Sequence, residues 1–128
     1  MAKILVVDDN RAVRTVVQEI LTRSGHEVTL AADGDEGIQS YRALRPDIVV
    51  TDIFMPRKDG IETITDLRRE FPGAKIIAMS AGWMRGMNIH GPDADILAYA
   101  KRCGADAILE KPFEPTQLRA TIDGLLAR

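Results

Sequence analysis

Ile48-Val49-Val50-Thr51-Asp52-Ile53-Phe54-Met55-Pro56 is a short apolar run broken by one acid and closed by a proline. A run of this length, rich in Val and Ile and bounded by Pro46-Asp47 on one side and Pro56 on the other, reads as a strand buried on both faces. Asp52 then falls where that strand ends, at the carboxyl edge of an open parallel sheet, where ligands bind. A carboxylate against a core is costly, so Asp52 must open onto a wet cleft or meet a cation.

Working outward, Lys3–Val7 is a first buried strand that stops at Asp8-Asp9-Asn10. Asp9 or Asn10 can cap the helix that follows, since a short side-chain acceptor satisfies free N–H groups there. That helix runs from about Arg11 to Arg23, with Val13, Val16, Val17, Ile20 and Leu21 at helical spacing, and Ser24-Gly25 stops it. His26 to Ala31 alternates as a more exposed strand, Asp33-Gly34 turns the chain, and a helix covers roughly Glu36 to Leu44. Past the central strand, Gly60 opens a helix with Ile61, Ile64 and Leu67 facing in, closed by Phe71-Pro72-Gly73. Lys75 to Met79 is the fourth strand, ending at Ser80. The chain is irregular from Gly82 to Pro92, Asp93 caps a helix to about Cys103, and Gly104 ends it. Ala107 to Leu109 is the fifth strand, followed by Glu110-Lys111-Pro112-Phe113. Pro115 then opens a last helix with Leu118, Ile122, Leu125 and Leu126 on its apolar face.

Five strands alternating with five helices predict an α/β fold, a doubly wound parallel sheet covered on both sides. Right-handed crossovers leave few topologies, and the flavodoxin-like order 2-1-3-4-5 is one of the two common ones. In that order the first and third strands meet at the switch point. Asp8-Asp9, Asp52, Ser80 and Lys111 all end buried strands and share one sheet edge.

Composition narrows the function. A chain of 128 residues, 45% apolar and 28% charged, suits one globular domain with one core. The net charge of −2 gives no broad pull toward nucleic acid or anionic lipid. One cysteine, Cys103, excludes an internal disulfide and fits a reducing cytosol. Met1-Ala2-Lys3 leads straight into the first strand with no export signal, and that apolar run is too short to span a bilayer. The expectation is a single cytoplasmic domain over residues 1–128.

Asp8, Asp9 and Asp52 bring three carboxylates together. Two like charges 4 Å apart repel by about 4 kcal/mol at an effective dielectric near 20. Three such groups need a cation, or one must take a proton. All-oxygen ligation with water in the remaining positions suits Mg²⁺ better than Ca²⁺. Lys111 supplies one positive charge and Ser80 a hydroxyl. A carboxylate nucleophile, a divalent cation, an ammonium and a hydroxyl are what phosphoryl transfer to Asp52 requires. The dianion formed could draw in Ser80 and Lys111 and order their loops.

These residues resemble the receiver domain of two-component response regulators, of the stand-alone, chemotaxis-regulator type. The matching set is Asp8-Asp9, Thr51-Asp52-Ile53-Phe54-Met55-Pro56, Asp59-Gly60, Ser80-Ala81 and Lys111-Pro112-Phe113, and it covers essentially the whole chain. The resemblance implies that Asp52 is the phosphoacceptor, served by a histidine kinase or a histidine phosphotransfer protein. It implies that Asp8, Asp9, Asp52 and the backbone carbonyl of Phe54 surround Mg²⁺. Ser80 would be the switch hydroxyl, Ala81 the small residue beside the phosphoryl pocket, and Lys111 the phosphoryl-binding amine. A cis bond before Pro112 is usual in the family.

Two departures stand out. Ile108 occupies the position, three before the lysine, where the family usually has an aromatic switch residue. The span from Ser80 to Lys111 is several residues longer than usual, and the excess falls in Gly82 to Gly91, with Trp83, His90 and two methionines. The expectation is that this glycine-rich loop is the mobile reporter and part of a partner surface. Equal hydrogen exchange there with and without a phosphoryl mimic would contradict it.

Blander roles exist for each residue. Asp8 and Asp9 could cap a helix, Asp52 could pair with Lys111 structurally, and Ser80 could close a strand. Trp83 could cover core, and neither His26 nor His90 is placed as a catalytic base. The leading function is a signalling module without an output domain, passing its signal to an unidentified downstream protein as a monomer or weak homodimer, with no nucleic acid or membrane partner. An aspartate-dependent phosphohydrolase is the alternative, weakened because such enzymes carry a second acid where this chain has Phe54. A flavodoxin-like nucleotide binder is weaker still, because Asp8-Asp9-Asn10 lacks phosphate-approaching glycines.

Overall fold

The computed structural model describes residues 1–55, 59–81 and 99–128. Strands β1 (Lys3–Val7), β2 (Glu27–Ala31), β3 (Ile48–Asp52), β4 (Ile76–Ala81) and β5 (Ala107–Lys111) form one parallel sheet in the order β2-β1-β3-β4-β5. Helices α1 (Arg11–Arg23), α2 (Gly34–Leu44), α3 (Gly60–Glu70), α4 (described over 99–103) and α5 (Pro115–Leu126) connect and cover it.

Alternation along each strand splits the core in two. Ile4, Val6, Ile48, Val50, Ile77 and Met79 face Val17 and Leu21 of α1 and Leu118, Ile122 and Leu125 of α5. Leu5, Val7, Val49, Ile76 and Ala78 face Ile38 and Tyr41 of α2, Ile64 and Leu67 of α3, and Ala100 of α4. Both faces of β1 and β3 are therefore dry, and every residue of β3 is buried, the polar Thr51 and Asp52 included. Cys103 packs partly buried against the α2–α3–α4 side of the core.

The helix ends follow from short polar caps and glycines. Asn10 caps α1, its Oδ1 accepting the Val13 N–H at 3.1 Å, so the cap is Asn10 and not Asp9. Gly25, at φ 89°, reverses the chain after α1, and Gly104, at φ 133°, does the same after α4.

Several boundaries differ from expectation. Helix α2 begins at Gly34, because Asp33 caps it by accepting the Glu36 N–H at 2.8 Å; the pair expected to turn the chain starts the helix instead. Strand β2 begins at Glu27, and His26 before it accepts the Ala2 N–H on Nδ1 at 3.1 Å. Strands β4 and β5 continue to Ala81 and Lys111, because Ser80 pairs with Glu110 and Ala81 with Lys111. The ladder is a backbone property, so polar side chains at 80 and 111 do not end it. Val16, expected on the inner face of α1, is 55% exposed. The expected cap at Asp93 and the reporter loop with Trp83 and His90 lie outside the described residues.

Candidate functional site

The sheet delivers the polar residues to one edge. Val7 pairs with Thr51, so Asp8 and Asp52 leave adjacent strands at the same level. Asp52 pairs with Met79, and Lys111 stands opposite Ala81 one strand further on. Gly60 fixes the other side of Asp52. Its N–H donates to the Ile53 carbonyl at 2.7 Å, and a methyl group in place of its hydrogen would collide with the Asp52 carbonyl oxygen. Helix α3, capped by Asp59 through the Glu62 N–H at 2.8 Å, therefore starts directly against the backbone of the central acid.

Asp8 is fully buried, Asp52 is 5% exposed and Asp9 is exposed, yet one oxygen from each lies within 4.8 Å of the other two. The Lys111 ammonium reaches between two of them, donating to Asp8 Oδ2 at 2.9 Å and to Asp52 Oδ1 at 3.3 Å. Asp8 Oδ1 accepts the Asn10 N–H at 2.9 Å, so both oxygens of this acid are occupied.

The charges do not balance. Burial pushes the Asp52 carboxyl from 3.8 up to about 6; Lys111 pulls it down, and the neighbouring Asp8 and Asp9 add to the rise. Burial alone would lower the Lys111 ammonium, but its hydrogen bond to Asp8 and the charges of Asp52 and Asp8 outweigh this and raise it. One amine cannot neutralise three acids. A compact set of hard oxygen donors carrying surplus negative charge fits a divalent cation of the Mg²⁺ kind.

The remaining expected residues gather less tightly. Ser80 is fully buried, and its hydroxyl has no hydrogen-bond partner among the described residues. Ala81 lies in β4 opposite Lys111, and Ile108 is half-buried in β5 opposite Ala78. The Lys111–Pro112 bond is cis, as expected.

Two features escaped the sequence reading. An open groove of about 710 Å³ runs from the acids along α1, walled by Val13, Val16, Ile20, Phe54, Pro112 and Phe113. Phe54 is 39% exposed in that wall. The second is Arg14, whose guanidinium Nη1 donates to the Asp8 backbone carbonyl at 2.7 Å. Neither leaves a signal in the sequence, where Val16 reads as one more apolar position on the inner face of α1.

A five-stranded flavodoxin-like sheet with an acid cluster and a lysine at its switch point defines an α/β domain of the receiver class. The chain belongs to the response regulator receiver domain family, whose model matches residues 4–123. It is 36% identical to the chemotaxis protein CheY of Thermotoga maritima over 117 residues, covering 91% of this chain and 90% of that one. It is 39% identical to the response regulator MprA of Mycolicibacterium vanbaalenii, covering 98% of this chain but 51% of that protein, so it spans about half of such longer relatives. Among solved structures, a response regulator receiver domain protein from Clostridium thermocellum superposes with a TM-score of 0.88 at 28% identity, over 100% of this chain and 96% of that one. No described helix is long and apolar enough to cross a membrane.

Proposed function

We propose that Asp52 accepts a phosphoryl group from a phosphohistidine of a histidine kinase or histidine phosphotransfer protein, and that the acyl phosphate so formed switches binding of a downstream protein in the cytoplasm. The observation that carries this reading is the placement of Lys111 Nζ between Asp8 and Asp52 while three carboxylate oxygens converge within 4.8 Å. Two buried acids beside a third cost more than well-packed apolar residues would, so stability alone does not account for the set.

Asp8, Asp9, Asp52 and the Phe54 carbonyl would hold Mg²⁺, which when bound supplies positive charge against the oxygens of the transferring phosphoryl. The chain's own residues do the rest. The Asp52 carboxylate oxygen forms the new O–P bond as the P–N bond breaks, and the electron pair returns to the donor imidazole. Lys111, already bonded to Asp52, stays within reach of a phosphoryl oxygen there. Ser80, with a buried hydroxyl that has no partner among the described residues, is suited to donate to the product dianion and shift with it. The apolar groove beside the acids gives a donor domain a surface to lie on while its histidine reaches Asp52. A phosphohydrolase finds no support, because position 54 offers an aromatic ring in place of a second acid.

Incubation with Mg²⁺ and a labelled acyl phosphate or phosphohistidine donor tests the proposal. One alkali-labile label per chain is expected, absent from Asp52→Asn and absent in chelator. Label persisting in Asp52→Asn, or rapid turnover of a small phosphoester, would overturn it.

A further inference from the structure

Arg14 grips the turn that carries the two consecutive acids. Its backbone N–H donates to the Asn10 carbonyl at 3.0 Å, and its Nη1 donates to the Asp8 carbonyl at 2.7 Å. That carbonyl lies one residue beyond β1, where the ladder to its neighbours has ended. The other polar atoms of Asp8 have different partners: its N–H donates to Ala31 at 3.1 Å, Oδ1 accepts from Asn10 at 2.9 Å and Oδ2 from Lys111 at 2.9 Å. The guanidinium thus holds the carbonyl end of the peptide plane joining Asp8 to Asp9, while the Asn10 N–H closes the turn from the other side. Asp8 is locked by burial and by those contacts, but Asp9 is exposed and depends on that plane for its aim.

We infer that Arg14 is a positioning residue for the divalent-cation site: it holds the Asp8–Asp9 peptide so that both carboxylates address one ion. This rests on the reading that the acids hold Mg²⁺, and it adds a residue to which no role has been given. Two physical effects of Arg14 have opposite signs. As a positive charge held at the Asp8 carbonyl, it repels an incoming cation, so its removal would tighten binding. As a brace for a ligand-bearing turn, its removal would loosen binding, and loss of a group that orients metal ligands typically costs about 10–100-fold in affinity.

The sign is therefore the test. Calorimetric titration of the full chain with Mg²⁺ is compared for the unaltered protein, Asp9→Asn, Arg14→Gln, Arg14→Lys and the double variant Asp9→Asn/Arg14→Gln, with each variant's unfolding midpoint measured alongside. Arg14→Gln is expected to bind about tenfold more weakly, within the range for such orienting groups. Arg14→Lys, which keeps the charge and one donor, should bind more tightly than Arg14→Gln. In the Asp9→Asn background, removing Arg14 should change Mg²⁺ affinity no further, because the brace acts through Asp9. Equal or tighter binding by Arg14→Gln overturns the inference and leaves the proposed function standing, and so does a full further loss in the double variant. Should Arg14→Gln not fold, Arg14→Ala is titrated in its place and decides by the same sign. Failure of the unaltered protein to bind Mg²⁺ would instead remove the functional reading itself.

Discussion

Gly60 and Asp52 meet through their backbones: no side chain fits between the first residue of α3 and the Asp52 carbonyl. Helix α3 is thereby docked against the strand end that carries the central acid. Replacing Gly60 with Ala forces the helix outward or the strand end sideways, and overpacking of this kind costs about 1–3 kcal/mol. Gly73 has nothing within 4 Å of the corresponding position, so Gly73→Ala serves as the control. Urea unfolding should place Gly60→Ala well below the unaltered protein and Gly73→Ala within about 0.5 kcal/mol of it.

The Asp52 carboxyl makes the metal-free protein pH-sensitive in a direction opposite to that of most salt-bridged acids. Its folded value near 6 lies above the ordinary 3.8, so between these values the native state holds a proton that the unfolded chain has released. Stability is then greatest below about pH 4 as far as this group is concerned, and it is lost as pH rises through 6, for a total of roughly 2–3 kcal/mol. Asp52→Asn removes the penalty. In chelator at pH 8 the variant should be more stable than the unaltered protein by a similar amount, roughly 2 kcal/mol, with the gap closing toward pH 4. Denaturant midpoints at both pH values check this.

Lys111→Met leaves Asp8, which is fully buried, without its cation. Breaking a buried pair from one side costs about 3–5 kcal/mol, and the 18% exposure of the Lys111 side chain reduces this to roughly 2–3 kcal/mol at pH 7. The loss should shrink at low pH, where Asp52 takes up a proton. A loss that is the same at pH 4 and pH 7 would mean that packing of the lysine stem, not its charge, is what matters.

Ser80→Ala separates the resting fold from the switch. The hydroxyl is buried and has no partner among the described residues, so its removal should cost the unmodified protein less than about 0.5 kcal/mol, or stabilise it. The difference should appear only on phosphorylation. Hydrogen exchange at the carboxyl end of β4 should slow on phosphorylation of the unaltered protein and remain unchanged in Ser80→Ala.

How far the sequence could be read depended on the kind of signal. The strand Ile48–Asp52 was legible because an apolar run opening with Ile48-Val49-Val50 between prolines has one comfortable home in a covered parallel sheet. The meeting of Asp8, Asp52 and Lys111 followed from the strand order alone, and the register bears it out. Ser80 was placed one residue and Lys111 two residues past their strands, since side-chain polarity suggests an end while backbone pairing continues. Val16 was placed inside because helical spacing assigns a face but does not reveal where the covering layer stops. Arg14 was not found at all: a contact from the second turn of a helix back to a strand-end carbonyl leaves no periodic trace.

The proposed role of Asp52 turns on where the phosphoryl group goes. After phosphorylation in Mg²⁺, borohydride reduces an aspartyl phosphate to homoserine, and mass spectrometry of the digested chain locates it. Homoserine at position 52 and at no other acid is the predicted result. Reduction at Asp8 or Asp9, or a phosphorylated chain with residue 52 unchanged, would contradict the central claim.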